Sequence, residues 1–324
     1  MRRRILPVLA GCLAVLTAAG LSAAVPPSPA ELLSLGRVDD AIRMLKARVQ
    51  AAPNDARAYN LLTRTYLYMG RWDEAAAAAE RAVALEPSAS NYQLWLGRAA
   101  GEKAAHSSFV IAVRMVPRIR AAFERAVQLD GSNSEARTDL AEFYMEAPAF
   151  LGGGKDKALA QAEALAAQDA AAAHWVKAQL AQHGKRFETA EQEYRAAIAA
   201  SRQPAGRWLD LAGFYVTRGR LDEMEDAVNK AASEDVGPSV VPYEAALLLF
   251  QAGRNFPGAI ELLQKYLGGA SQPEAAPAYK AHFLLGMILE KQGNIPSAAA
   301  EYRAALALAS EFDQARIALQ RITQ

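Results

Sequence analysis

Cysteine is all but missing from this 324-residue chain. Cys12 is the only one, which excludes a disulfide framework and any thiolate metal cluster. Histidine is scarce too. His106, His174, His183 and His282 stand far apart, none three or four residues from another, so no helix face carries a metal-binding pair and no metal or other cofactor is expected. No alternating Val/Ile/Thr run reads as a strand. Charge of one sign is lacking as well: 36 Lys and Arg face 35 Asp and Glu. That balance argues against a general nucleic-acid binder. Catalytic signatures are absent. Ser107-Ser108 beside His106 has no Gly-x-Ser-x-Gly elbow and no third partner, and reads as a run of polar residues facing solvent. Gly152-Gly153-Gly154-Lys155 is followed by Asp156 rather than Ser or Thr, without Walker spacing or a preceding strand, so it reads as a flexible loop. Proline and glycine are spread out, and no low-complexity run exceeds the general richness in alanine, a strong helix former.

What is present begins with a targeting pattern. Arg2, Arg3 and Arg4 precede an apolar run from Ile5 to Leu21, and Ser22-Ala23-Ala24 supplies small residues for a cleavage site. Residues 1–24 are therefore expected to be a cleaved signal peptide of a periplasmic or secreted protein. Two alternatives share the stretch. The apolar run to Val25 is long enough to remain as an uncleaved anchor. Leu9-Ala10-Gly11-Cys12 resembles a lipobox, which would lipidate Cys12. Membrane association is expected only in those two cases. Cleavage after Ala24 would remove Cys12 and three arginines, leaving 33 bases against 35 acids, a net charge of about −2.

The body is organised around Ala56 to Ser88. Tyr59, Leu62 and Tyr66 fall three and four apart on one helix face. Gly70 suits a helix C-terminus, and Asp73 and Glu74 suit the start of the next helix. Small residues at Ala75, Ala79 and Ala82 let two helices approach closely, and Pro87 stops the second. A pair of this kind cannot bury its own apolar face, so neighbours must stack on it.

The stretch resembles the tetratricopeptide repeat family, whose period is about 34 residues. Tyr59, Leu62, Tyr66, Gly70, Trp72, Ala75, Ala82 and Pro87 occupy its signature positions. Thr63 replaces the usual glycine and Ala79 the usual aromatic. The pattern recurs. A worn unit, Ala30 to Ala52, is expected to cap the N-terminal end. Leu96-Gly97 with Phe123, and Leu140, Ala141 and Tyr144, mark the third and fourth units. Phe187, Ala190 and Tyr194 mark the fifth. Trp208, Leu211, Tyr215 and Gly219 mark the sixth, and Tyr243, Phe250 and Ala259 the seventh. Leu285-Gly286, Gly293 and Tyr302 mark the eighth, and Phe312 to Ile322 reads as a solvating final helix. The resemblance implies an all-α fold: a right-handed α-solenoid of about eight helix hairpins over residues 30–324. Its units at about 90–133 and 134–170 are enlarged. The first holds about ten extra residues between Ala99 and Arg120, the second five within Ala147 to Lys157. Lengthened helices or turns are the plain reading of both. A lip on the binding surface, carrying Arg114, Arg118, Arg120 and Lys155, is the sharper one.

What the resemblance implies for function is binding of a protein or peptide by the first helices of the units, without catalysis. Their outward positions hold Arg57, Asn60, Arg64 and Tyr68, then Arg98, then Glu142 and Met145. The arginines favour an acidic partner segment. Glu142 and Glu146, four apart, read as a solvated or groove-facing surface. Trp72, Trp95, Trp175 and Trp208 read as core. A tethered envelope assembly or secretion accessory is an alternative, and an enzyme with a site built on the two insertions is another.

Overall fold

The computed structural model describes residues 27–324, so the signal segment and Cys12 lie outside the described residues. Seventeen α-helices, and no strand, make up the described residues. They pair as hairpins: α1 (Pro29–Ser34) with α2 (Val38–Ala51), α3 (Ala56–Tyr68) with α4 (Trp72–Leu85), and α5 (Ser90–Ala105) with α6 (Phe109–Leu129). Next come α7 (Ser134–Glu146) with α8 (Lys155–Leu165), α9 (Ala170–His183) with α10 (Phe187–Ala200), and α11 (Ala205–Thr217) with α12 (Leu221–Glu234). The last are α13 (Val241–Ala252) with α14 (Phe256–Leu267) and α15 (Ala278–Lys291) with α16 (Ile295–Leu308), followed by a single helix, α17 (Asp313–Thr323).

Local chemistry sets the helix boundaries. Asp55, Asn133 and Asp169 each accept the backbone N–H three residues on, at 2.9–3.0 Å, so a first-turn donor does not go unpaired. The turn inside most of the hairpins uses one left-handed residue; the α5–α6 turn does without one. Gly36, Gly70, Gly219, Gly253 and Gly293 supply it with φ between 67° and 80°. In the fifth unit the same place falls to Lys185 at φ 56°.

Packing within a hairpin follows a volume exchange. A Cβ on Gly97 would stand 2.5 Å from the Phe123 ring, and one on Gly286 would stand 2.5 Å from Tyr302. Glycine on the first helix makes room for an aromatic on the second. In the second unit both partners change together: the larger Thr63 stands at the glycine position and the smaller Ala79 at the aromatic one, and both are buried. The substitutions that looked like departures from the repeat pattern therefore compensate each other.

The enlarged units grow by different means. In the third, α6 extends to 21 residues and carries Pro117 within it. Its first turn leaves Phe109, Val110 and Ile111 exposed. In the fourth, residues 147–154 form a loop around a short 3-10 turn, Ala149–Leu151. That loop folds back when the Gly154 N–H donates to the Tyr144 carbonyl at 2.8 Å. The two insertions touch, because the Arg120 side chain lies against the α-carbon of Gly152.

The solenoid closes on itself, which corrects the expectation of two separate end caps. Leu32, Leu33, Val38 and Leu45 from the first unit share one buried cluster with Tyr279, Ala305, Ala309 and Phe312 from the last. The loop before α15 reaches α1, where the Gln272 N–H donates to the Ser34 carbonyl at 2.9 Å. The Ser310 N–H donates to Asp39 at 3.0 Å, across 271 positions of sequence. The Tyr279 hydroxyl donates to the Tyr68 carbonyl at 2.8 Å, and Arg71 pairs with Glu311. Phe312 faces inward and stands edge-on between Tyr279 and Phe283, with ring centroids 4.9 and 5.2 Å away. The worn first unit and the final helix are thus the two sides of one seam.

Candidate functional site

The first helices form the inner face. Between α3, α5 and α7 that face opens into a cleft of about 470 Å³, lined by Leu67, Tyr68, Trp95, Gly97, Arg98, Gly101, Glu102, Phe123, Asp139, Glu142, Phe143 and Glu146. Its floor is apolar and aromatic, and its rim is charged. Gly101 holds the floor open, since a Cβ there would meet nothing within 4 Å.

Of the residues expected to form the groove, Tyr68, Arg98 and Glu142 line this cleft. The expected freedom of the arginines is not found. Arg98 is held by Asp139 in a fork, at 2.6 and 3.2 Å, and by Glu135 at 3.1 Å, and it lies over the Trp95 ring at 4.7 Å. Arg64 pairs with Glu274 at 2.6 Å and covers Trp95 from 5.0 Å. Glu274 comes from the seam loop, some two hundred residues away in sequence, which is why the outward position of Arg64 on α3 suggested a free cation. Burial still pushes the Glu274 carboxyl up despite that arginine. Asn60 is buried with its carbonyl oxygen unpartnered, so it does not face a ligand. Arg57 is exposed at the start of α3. Met145 is half-buried against the core, off the cleft.

The insertion residues lie elsewhere. Arg118 pairs with Glu80 of α4 at 2.8 Å and Arg120 approaches Glu124 at 3.7 Å, both on the layer of second helices. Arg114 and Lys155 are exposed. None of the four lines the cleft, although Gly101 and Glu102 of the Ala99–Arg120 stretch do.

What remains on the inner face is negative. Glu142 has no ion-pair partner among the described residues. Its side chain reaches solvent at the cleft, and desolvation by the surrounding wall, reinforced by the neighbouring charge of Asp139, pushes its carboxyl up to about 7. Glu244 on α13 is likewise pushed up to about 7 by burial and by Asp210. Lys280 lies on the same face with its ammonium 4.9 Å from the centre of the Tyr68 ring, and burial lowers it to about 8. The histidines serve packing. His174 with Glu193 and His282 with Glu301 make the same 2.7 Å contact in two different units. His106 stacks on Trp72 with centroids 4.5 Å apart. No cluster of three or more His, Cys, Asp or Glu able to hold a metal ion occurs among the described residues.

Sequence reasoning did not assign to the groove the acids Glu102 and Asp139, the apolar and aromatic residues Leu67, Trp95, Phe123 and Phe143, or the glycines Gly97 and Gly101. Glu142 with Glu146 carried the usable signal, a four-residue spacing on one helix that places both carboxylates over the same groove.

Family models described as tetratricopeptide repeat match residues 32–99 and 243–321, the two stretches that meet at the seam. This is a tetratricopeptide-repeat protein. The two matches rest on units that keep the glycine turns, and the enlarged TPR units lie between them. Yeast Tom70 is similar in structure, with a TM-score of 0.54 and 17% identity over 88% of this chain and 58% of that chain. A thermophilic TPR protein from Thermus thermophilus is similar with a TM-score of 0.48 and 19% identity, over 58% of this chain and 97% of that one. This chain thus spans under two thirds of the yeast protein's length, and what it shares with that protein is the TPR fold. No curated protein matches the sequence.

Proposed function

We propose that this chain is a non-enzymatic scaffold that holds a peptide or a protein segment on its inner face, outside the cytoplasm. TPR chains offer protein-binding surfaces, and the observation that carries the reading here is the cleft of α3, α5 and α7. It combines an aromatic floor kept open at Gly101 with polar groups converging on it. Export rests on the basic start, the apolar run and the small residues at Ser22–Ala24. A membrane tether through Cys12 or through an uncleaved N-terminus stays open as the second reading of that segment. The acidic partner suggested by the arginines has little left to support it. Arg64 and Arg98 are neutralised within the chain, and Arg57 stands outside the cleft.

A photo-reactive amino acid at position 101, compared with one at the exposed position 229 of α12, tests the binding face in the exporting cell. Adducts from position 101 alone are the expected result. Equal adducts from both positions would remove the cleft from consideration. The mass of the mature protein decides the N-terminus: a chain starting at Val25 supports cleavage, and an acylated Cys12 supports the tether.

A further inference from the structure

We infer that the cleft between α3, α5 and α7 takes a cationic segment, an extended stretch of protein carrying lysine or arginine among apolar residues. The inference rests on the reading of the inner face as the binding face and gives its partner a chemistry.

Two features of the cleft argue together. The first is its shape and floor. Leu67, Tyr68 and Phe143 present apolar surface around Gly101, where no side chain fills the space. Apolar side chains and the methylene stem of a lysine or arginine bury well on such a floor. The second is charge complementarity. Among the residues lining the cleft, Glu102, Asp139, Glu142 and Glu146 are acidic and only Arg98 is basic. Arg98 is already spent, forked onto Asp139 and reaching Glu135 outside the cleft. Glu146 has only His183 at 3.2 Å. Glu102 has only His106, at 3.8 Å. Glu142 has no cation at ion-pair distance. Two other bases face this region: Arg64 is paired with Glu274, and Lys280 feels the charge of Glu102 but keeps its ammonium over Tyr68, with no carboxylate at ion-pair distance.

An incoming ammonium or guanidinium would supply the missing counter-charge at Glu142 and Glu102, and a carboxylate-rich segment would be repelled. The chain shows internally that this wall accepts cations: Lys280 stands over Tyr68, and Arg64 and Arg98 over Trp95.

Selection from a displayed library of random twelve-residue peptides tests the inference, using the full chain, Gly101→Trp and Glu142→Gln with Glu102→Gln as three separate baits. Gly101→Trp fills the open floor, and a helical circular dichroism spectrum with an unchanged melting midpoint verifies its fold. The glutamine variant keeps side-chain volume and removes only charge. The expected result is enrichment of peptides with lysine or arginine beside apolar residues on the full chain and their loss on Gly101→Trp. The double glutamine variant should bind the selected peptides about tenfold more weakly, as loss of a charge-assisted contact implies. Enrichment of acidic or uncharged peptides that are still lost on Gly101→Trp would overturn the cationic partner and leave the binding face intact. Peptides that bind the full chain and Gly101→Trp equally, or no enrichment on any bait, would overturn both.

Discussion

Lys185 occupies a backbone conformation that five other units assign to glycine, with φ 56°. A side chain there costs roughly 1 kcal/mol through the clash of Cβ with its own peptide group. Lys185→Gly is therefore expected to stabilise the protein by about 1 kcal/mol, visible as a higher urea midpoint with an unchanged slope. Glu142 and Glu244 give a second residue-scale expectation. Their folded pKa values, about 7, lie above the 4.5 of the free side chain. The folded state thus binds the proton more tightly than the unfolded state. Both side chains reach solvent, so screening keeps the resulting stabilisation small; it is present below about pH 4.5 and is lost as pH rises through about 7. Glu142→Gln with Glu244→Gln should flatten that loss. The difference in melting temperature between variant and parent should grow from pH 5 to pH 8, with the variant higher at pH 8. A constant difference across that range would show that both carboxyls titrate as free ones. If Glu142 serves binding, its replacement trades function for stability.

At the scale of one helix, α5 contains two glycines with opposite reasons for being there. Gly97 faces Phe123 with no room for a methyl group, whereas Gly101 faces open space. Gly97→Ala must displace a buried ring and should cost about 1–3 kcal/mol. Gly101→Ala removes a flexible residue from a helix interior and should gain about 0.5–1 kcal/mol. Thermal melts of the two variants check the contrast, which a general account of glycine in helices would not produce. Gly70→Val belongs with the first kind for a different reason, since φ 73° at Gly70 forces a branched residue into strain. These helices and turns were legible in the sequence because they are local. Leu-Gly recurs with an aromatic opposite it in two units, and αL glycines punctuate five of the hairpins. The lengthening of α6 was legible only as a count of extra residues. The count fitted a longer turn as well as a longer helix, and packing against the neighbouring helices decided the matter.

On the scale of the whole molecule the sequence said least, because the seam is made of residues more than two hundred positions apart. Nothing in the periodicity marks Glu274 as the partner of Arg64, or Phe312 as the ring that enters between Tyr279 and Phe283. Arg64 and Arg98, expected to be free groove cations, are instead held in ion pairs with Glu274 and Asp139. The seam makes its own prediction. Arg64→Glu should destabilise the folded chain by about 1–3 kcal/mol, since it places a carboxylate against the partly buried Glu274. The exchange Arg64→Glu with Glu274→Arg should recover much of that loss. Equal destabilisation by the single and double variants would show that the ion pair contributes nothing to closure.

An open solenoid can gain or lose a repeat with little penalty, because each unit touches only its neighbours. Here the first unit and the last complete each other's buried surface, through Leu32, Leu33 and Val38 on one side and Tyr279, Ala309 and Phe312 on the other. Inserting or deleting a unit anywhere in the chain would rotate these two surfaces out of register at a distance. Every seam contact would then be lost at once, however well the altered repeat packed locally. Duplication of repeats, the ordinary route by which such proteins change length, is thereby closed to this one. Its changes in size are confined to the inside of a unit, which is where both of its insertions stand.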